Sequence, residues 1–159
     1  MSKIEISGRA LAKYKKLAEN VAMKVIEIMN QPNQLEVAIE FVSEKEIQRL
    51  NREIRNIDKV TDVLSFPSTE LKPGEILDIE KEENIFLVTE DGYIHFGDMA
   101  LCLKQTERQA KEYGVSVESE VKKLVIHSML HLMGYDHIKD DDYVVMNQKE
   151  IELDNLIRI

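Results

Sequence analysis

A chain of 159 residues, 43% hydrophobic and 32% charged, has the size and balance of a single globular domain, residues 1–159. It has no apolar run of about 18 residues, which excludes a membrane-spanning helix, and MSKIEISGRALAKYKK offers neither an apolar signal core nor a small-residue cleavage site. The net charge of -9 argues against nucleic acid as a partner, because Lys and Arg supply most non-specific affinity for phosphates, although a local basic groove can outweigh it.

Lys3 to Ile6 alternates polar and apolar residues and predicts a short strand. From Arg9 to Asn30 the residues Leu11, Tyr14, Ala18, Val21, Val25 and Ile28 recur at helical spacing, and Gln31-Pro32-Asn33 stops that helix. Leu35, Val37, Ile39 and Phe41 alternate with Glu36, Ala38, Glu40 and Val42, the pattern of a half-buried strand. Ser43 and Glu46 have capping-box spacing ahead of a helical face of Ile47, Leu50 and Ile54. Val63, Leu64 and Phe66, closed by Pro67, predict another strand, and Ser68 to Glu83 reads as an exposed acidic excursion.

Asn84 to Thr89 and Tyr93 to Cys102 then predict two strands joined by a turn at Asp91-Gly92. A helix is expected from Lys104 to Tyr113, ending at Gly114. A second is capped by Ser116, with Glu118 and Glu120 in its first turn, and runs to Met133 before Gly134. The last helix, from about Asp142, should turn Tyr143, Met146, Leu153 and Ile157 inward. The sum is an α+β fold, a small mixed β-sheet packed with several helices and a histidine-bearing helix-turn near the C-terminus. Cys102 is the only cysteine, so no intrachain disulfide forms and a cytoplasmic location is expected.

Three of the four histidines fall within His127-Ser128-Met129-Leu130-His131-Leu132-Met133-Gly134-Tyr135-Asp136-His137. Residues four apart share a helical face, so His127 and His131 can address one centre, and Gly134 lets the chain turn so that His137 returns to it. Three imidazoles leave a fourth tetrahedral position open on a zinc ion, the arrangement of a catalytic site, and zinc brings the pKa of a bound water to about 7. Nickel and copper also accept these ligands. Zinc proteases with this spacing carry Glu after the first histidine as general base; Ser128 stands there, which argues against a peptidase.

This segment resembles the signature of the YbeY-type endoribonucleases. Leu50-Asn51, Arg55, Asp58 and Thr61-Asp62-Val63-Leu64-Ser65-Phe66-Pro67 form a second matching block, and Gly97-Asp98 through Cys102 a third. Ser128 departs from the family's usual glycine, Ile54 from a frequent aromatic, and Ser68 to Thr89 is longer than usual. The resemblance implies one Zn2+ ion on His127, His131 and His137, an important Arg55, and cleavage of single-stranded ribosomal RNA. The implied roles are small-subunit 3′-end maturation and ribosome quality control, with the ribosome or its small subunit as partner. Oligomeric state is not specified.

An arginine suits a phosphodiester because it is always charged, planar and able to donate two parallel hydrogen bonds. Arg49, Arg52 and Arg55, with Lys59, and the stripe Lys104, Arg108 and Lys111 offer either an RNA groove or solvated faces. Asp136 suits an acceptor that orients an imidazole, a proton carrier or a turn stabiliser, and Asp62 a cap or brace for the Arg55 loop. Cys102 and His95 read as ordinary packed residues. The competing functions are another zinc hydrolase, peptidase or amidase, and a non-catalytic ribosome assembly factor with a structural metal.

Overall fold

In a computed structural model describing residues 1–159, four strands and five α-helices interleave along the chain. Strand β1 (Lys3–Gly8) leads into α1 (Ala12–Ile28), which buries Tyr14, Ala18, Val21, Ala22, Val25 and Ile26. Leu11 stands at the N-terminal boundary of that helix and is exposed, so the inward face begins one turn later than its periodicity suggests. Strand β2 (Leu35–Phe41) buries the alternate residues Leu35, Val37, Ile39 and Phe41, as its pattern requires.

Helix α2 (Glu44–Arg55) starts at Ser43, whose side chain accepts the Glu46 N–H at 3.1 Å. Glu46 bonds Arg49 instead of completing the capping box. The helix ends at Asn56 in the left-handed conformation, leaving Arg55 as its last residue. Strand β3 (Val63–Pro67) and β4 (Ile94–Leu101) follow, then α3 (Leu103–Tyr113), α4 (Val117–Leu132) and α5 (Asp140–Leu156). Ser116 caps α4 by accepting the Ser119 N–H at 3.0 Å. Met146, Leu153 and Ile157 point inward as expected, but Tyr143 is 56% exposed in the first turn of α5.

The sheet order is β1-β2-β4-β3, with β1, β2 and β4 parallel and β3 antiparallel to β4. The sheet is therefore mixed, as the sequence predicts. Both edges of β4 are taken, so residues 84–89 have no strand edge left to join. They form a 3-10 turn at Glu82–Leu87 and reach β4 only through a single bridge between Val88 and Ile94, in place of the expected strand. The turn at Asp91-Gly92 does form, with the Thr89 N–H donated to the Tyr93 carbonyl at 2.7 Å.

Helices α1 and α4 and the residues Met146, Leu153 and Ile157 close one apolar core against Val37, Ile39, Phe96, Met99 and Leu101 of the sheet. A smaller cluster of Ile47, Leu64 and Cys102 joins α2 to the opposite face at the β3 end. Gly97 is needed where α4 crosses the sheet, since a Cβ there would lie 2.6 Å from the Leu132 side chain and 2.9 Å from the Phe66 carbonyl oxygen.

The 68–83 excursion is pinned more firmly than its composition suggests. The Gln31 amide donates to the Glu75 carbonyl and accepts the Leu77 N–H, each at 3.0 Å, and Leu77 is buried. Leu71 also packs on the core, and its carbonyl oxygen sits where a Cβ on Gly134 would be, at 2.0 Å. Gly134 itself has φ +92°, a conformation that disfavours any side chain.

On the sheet's other face His95 bridges strands, its Nδ1 3.1 Å from Glu36 and its Nε2 2.9 Å from Asp98. Burial disfavours its charged form, but the bonds to Asp98 and Glu36 outweigh burial and raise its pKa above the ordinary 6.5. A raised folded-state pKa means the stabilisation is complete below the unfolded value and lost as pH climbs through the folded one.

Two outcomes are expected from this architecture. Gly134→Ala should lower unfolding free energy by about 3 kcal/mol in urea titration, from backbone strain plus a clash that only movement of the excursion relieves; a loss below about 0.5 kcal/mol contradicts the packing described. His95→Gln should remove the part of the stability that wild type loses as pH rises above 6.5. Parallel stability–pH curves for the two proteins would rule out His95 as its source.

Candidate metal centre

Helix α4 places His127 and His131 one turn apart on a single face, and the Gly134 turn brings His137 back across its end. The three rings lie with centroids 4.6, 5.6 and 5.1 Å apart, and one ligand nitrogen from each falls within 4.8 Å of the others. His127 and His131 are half-buried and His137 is exposed, so the cluster has a protein wall behind it and opens to solvent in front.

The partners of these rings define which nitrogens are free. His127 Nδ1 lies 3.1 Å from a Glu150 carboxylate oxygen, and His131 Nδ1 lies 2.9 Å from the Tyr135 carbonyl oxygen. Both partners accept, so each Nδ1 donates and each Nε2 is left to face the centre. These Nε2 atoms face one another at 3.1 Å. Two lone pairs at that range repel unless a cation or a shared proton stands between them. Tetrahedral zinc, with Zn–N bonds of 2.0–2.1 Å, holds ligand nitrogens about 3.3 Å apart. Burial, followed by the neighbouring His127, lowers the His131 pKa, which keeps that ring neutral and able to ligate. The donor set therefore fits a divalent ion, and the three histidines can hold one.

Ser128 takes no part in this front. It is fully buried on the side of α4 that meets β3, its hydroxyl 2.6 Å from that of Ser65. The two serines tie the histidine helix to the Thr61–Pro67 segment, so the position that holds a general base in zinc proteases faces away from the centre.

The histidines lie in a groove of about 660 Å³ walled by α4, β3 with the loop before it, the end of α2 and the start of the 135–138 turn. Arg55 lines this groove and makes no salt bridge or hydrogen bond. Its neighbouring acids are engaged elsewhere: Glu53 with Arg49 at 2.7 Å, and Asp58 with Arg52 and Gln48. The wider basic stripes lie outside this groove, and Arg49 and Arg52 line a separate pocket with Lys45, Glu46 and Asp58. Arg49 pairs with Glu46 and Glu53, Arg52 with Asp58 and Arg108 with Glu44, and none of the three lines the cavity.

Asp136 accepts the His137 N–H at 2.7 Å, the turn-stabilising role. Asp62 accepts the Val63 N–H at 2.7 Å and an N–H of the Gln109 amide at 3.1 Å, and the same amide nitrogen donates to Glu120 at 3.1 Å. Buried Asn51 donates to the Lys59 carbonyl at 3.0 Å, bracing the loop that follows Arg55. Cys102 is buried away from the histidines, and burial pushes its thiol pKa up. Glu150, Gln109 and Glu120 are groove residues that motif reading missed. Glu150 lies 23 residues beyond His127, and no local spacing marks it.

The family model described as Endoribonuclease YbeY matches residues 2–157. A protein named Endoribonuclease YbeY from Clostridium botulinum (strain Hall) is 42% identical over 123 residues, covering 74% of this chain and 72% of its own. The protein of the same name from Caldicellulosiruptor saccharolyticus is 38% identical over 135 residues, 85% of this chain and 81% of its own. The solution structure of a Thermotoga maritima protein superposes with a TM-score of 0.60 at 31% identity, covering 96% of this chain and 87% of that one. Extent and identity together place the chain: it belongs to the Endoribonuclease YbeY family.

Proposed function

We propose that residues 1–159 act as one zinc-dependent endoribonuclease unit that cuts single-stranded ribosomal RNA in the cytoplasm. His127, His131 and His137 hold the zinc ion, and Arg55 binds the phosphate at the cleaved bond. The observation that carries this reading is the pair of Nε2 atoms facing each other at 3.1 Å beside an unpaired arginine in one groove. Relatives named as endoribonucleases supply the substrate class. The small-subunit 3′ end, the ribosome as partner and a role in its quality control follow from that resemblance.

When bound, zinc supplies a Lewis acid and a water that is nucleophilic at neutral pH. The protein's own groups do the rest. Glu150 and the Tyr135 carbonyl fix the tautomer and tilt of His127 and His131. The Arg55 guanidinium donates to phosphoryl oxygens and stabilises the charge that builds there as the bond breaks. Asn51, donating to the Lys59 carbonyl, and Asp62, accepting the Val63 N–H, brace the segment between Arg55 and β3. Ser128, turned into the core, leaves the protease mechanism without its base.

The test is cleavage of a single-stranded oligoribonucleotide by purified wild type, metal-stripped protein, His131→Ala and Arg55→Ala, with metal content measured on each. Metal removal and His131→Ala should abolish cutting, and Arg55→Ala should lower its rate by about 10²–10³ while keeping its metal. Equal cutting by all four samples would identify a contaminant and overturn the reading. Folded, metal-loaded wild type that cuts no RNA would favour a non-catalytic role instead.

A further inference from the structure

The groove has a second cation, which the centre just described does not use. Lys123 stands one turn before His127, so Lys123, His127 and His131 form a single stripe along α4. The rise of a helix separates Lys123 from His127 by about 6 Å along the axis, roughly one nucleotide step of an extended strand. Lys123 is exposed in a chain that carries nine more acidic than basic charges, yet it makes no ion pair.

The surrounding acids explain why. Glu120 accepts from Gln109 at 3.1 Å, Glu150 faces His127 at 3.1 Å, and Asp154 pairs with Lys122 at 3.2 Å. Each carboxylate near Lys123 is thus committed to another partner. Arg55 and Lys123 are the only Lys or Arg residues lining the groove. Tyr113, at the end of α3, is 60% exposed beside it, its ring centroid 5.9 Å from the Lys123 ammonium. The Lys123 ammonium stands over one face of this exposed ring, so the other face offers a base a stacking surface while the ammonium, bound to no carboxylate, offers its phosphate a charge.

We propose that Lys123 and Tyr113 form a nucleotide subsite one step along the strand from the cleaved bond, with Lys123 on the phosphate and Tyr113 against the base. This rests on the RNA-cleaving reading above and extends it. The two contacts differ in physics, which makes them separable. A phosphate contact releases counterions and so appears in the salt dependence of binding, whereas stacking on a ring does not.

The experiment is fluorescence anisotropy of a labelled single-stranded oligoribonucleotide across a salt series. It uses metal-loaded wild type, Lys123→Gln, Lys123→Arg, Tyr113→Leu and the control Lys111→Gln, a lysine outside the groove. Lys123→Gln should reduce the slope of log affinity against log salt by about 0.7, and Lys123→Arg should restore it. Tyr113→Leu should weaken binding about tenfold with the slope unchanged, and Lys111→Gln should match wild type. If wild type binds and cuts RNA while Lys123→Gln keeps its slope and affinity, the subsite is wrong and the nuclease reading survives. If wild type binds no RNA, both fall together.

Discussion

Helix α4 must bury most of its circumference and still leave one stripe open, and the rest of the molecule is arranged around that demand. Val121, Leu124, Val125, Ile126, Met129, Leu130 and Leu132 are buried, as is Ser128. Lys123, His127 and His131 reach a solvent-accessible groove along one line, with Glu120 and Leu124 also in its wall. A helix held this tightly cannot rotate or slide to suit a ligand, which gives its two histidines fixed positions. Gly97 makes the tight crossing possible, and the Ser65–Ser128 bond fixes the register of helix against strand.

The third histidine is placed by a different device. His137 lies beyond the helix, and its return depends on Gly134 adopting φ +92° against the Leu71 carbonyl. The excursion that carries Leu71 is itself anchored by Gln31. A segment that looks like an acidic surface loop thereby supports the backbone that carries the histidine cluster. Glu150 and the Tyr135 carbonyl complete the arrangement from α5 and the turn, directing lone pairs inward where a protonated ring would point its N–H. The acids nearest Arg55 and Lys123 are engaged by other groups, Glu53 by Arg49 and Asp154 by Lys122, so an acidic protein keeps two cations without an ion pair in this groove, Arg55 and Lys123.

What could be read beforehand was what is local in sequence. The i, i+4 histidines, the following glycine, the capping serines at Ser43 and Ser116 and the alternation in Leu35–Phe41 each depend on near neighbours, and the structure contains them. Features set by distant partners were invisible. Residues 84–89 have strand-like composition but find no free edge, because β2 and β3 already flank β4. Tyr143 fits the apolar pattern of the last helix yet falls in its exposed first turn. The stripes of Arg49, Arg52 and Arg108 resemble a binding face, and only the positions of Glu44, Glu46, Glu53 and Asp58 show that they are neutralised locally. Glu150 belongs to the same class, since nothing near it in the chain marks it as a partner of His127.

A catalytic ion at this cluster needs the imidazoles of His127, His131 and His137 to converge on it and leave one coordination position open. Zinc-edge X-ray absorption of the metal-loaded protein, free of RNA, addresses it most directly. The expected result is one zinc per chain, bound by three imidazole nitrogens and a single light non-protein atom. A sulfur ligand, a shell of carboxylate and water oxygens, or a fourth protein ligand closing the shell would contradict it.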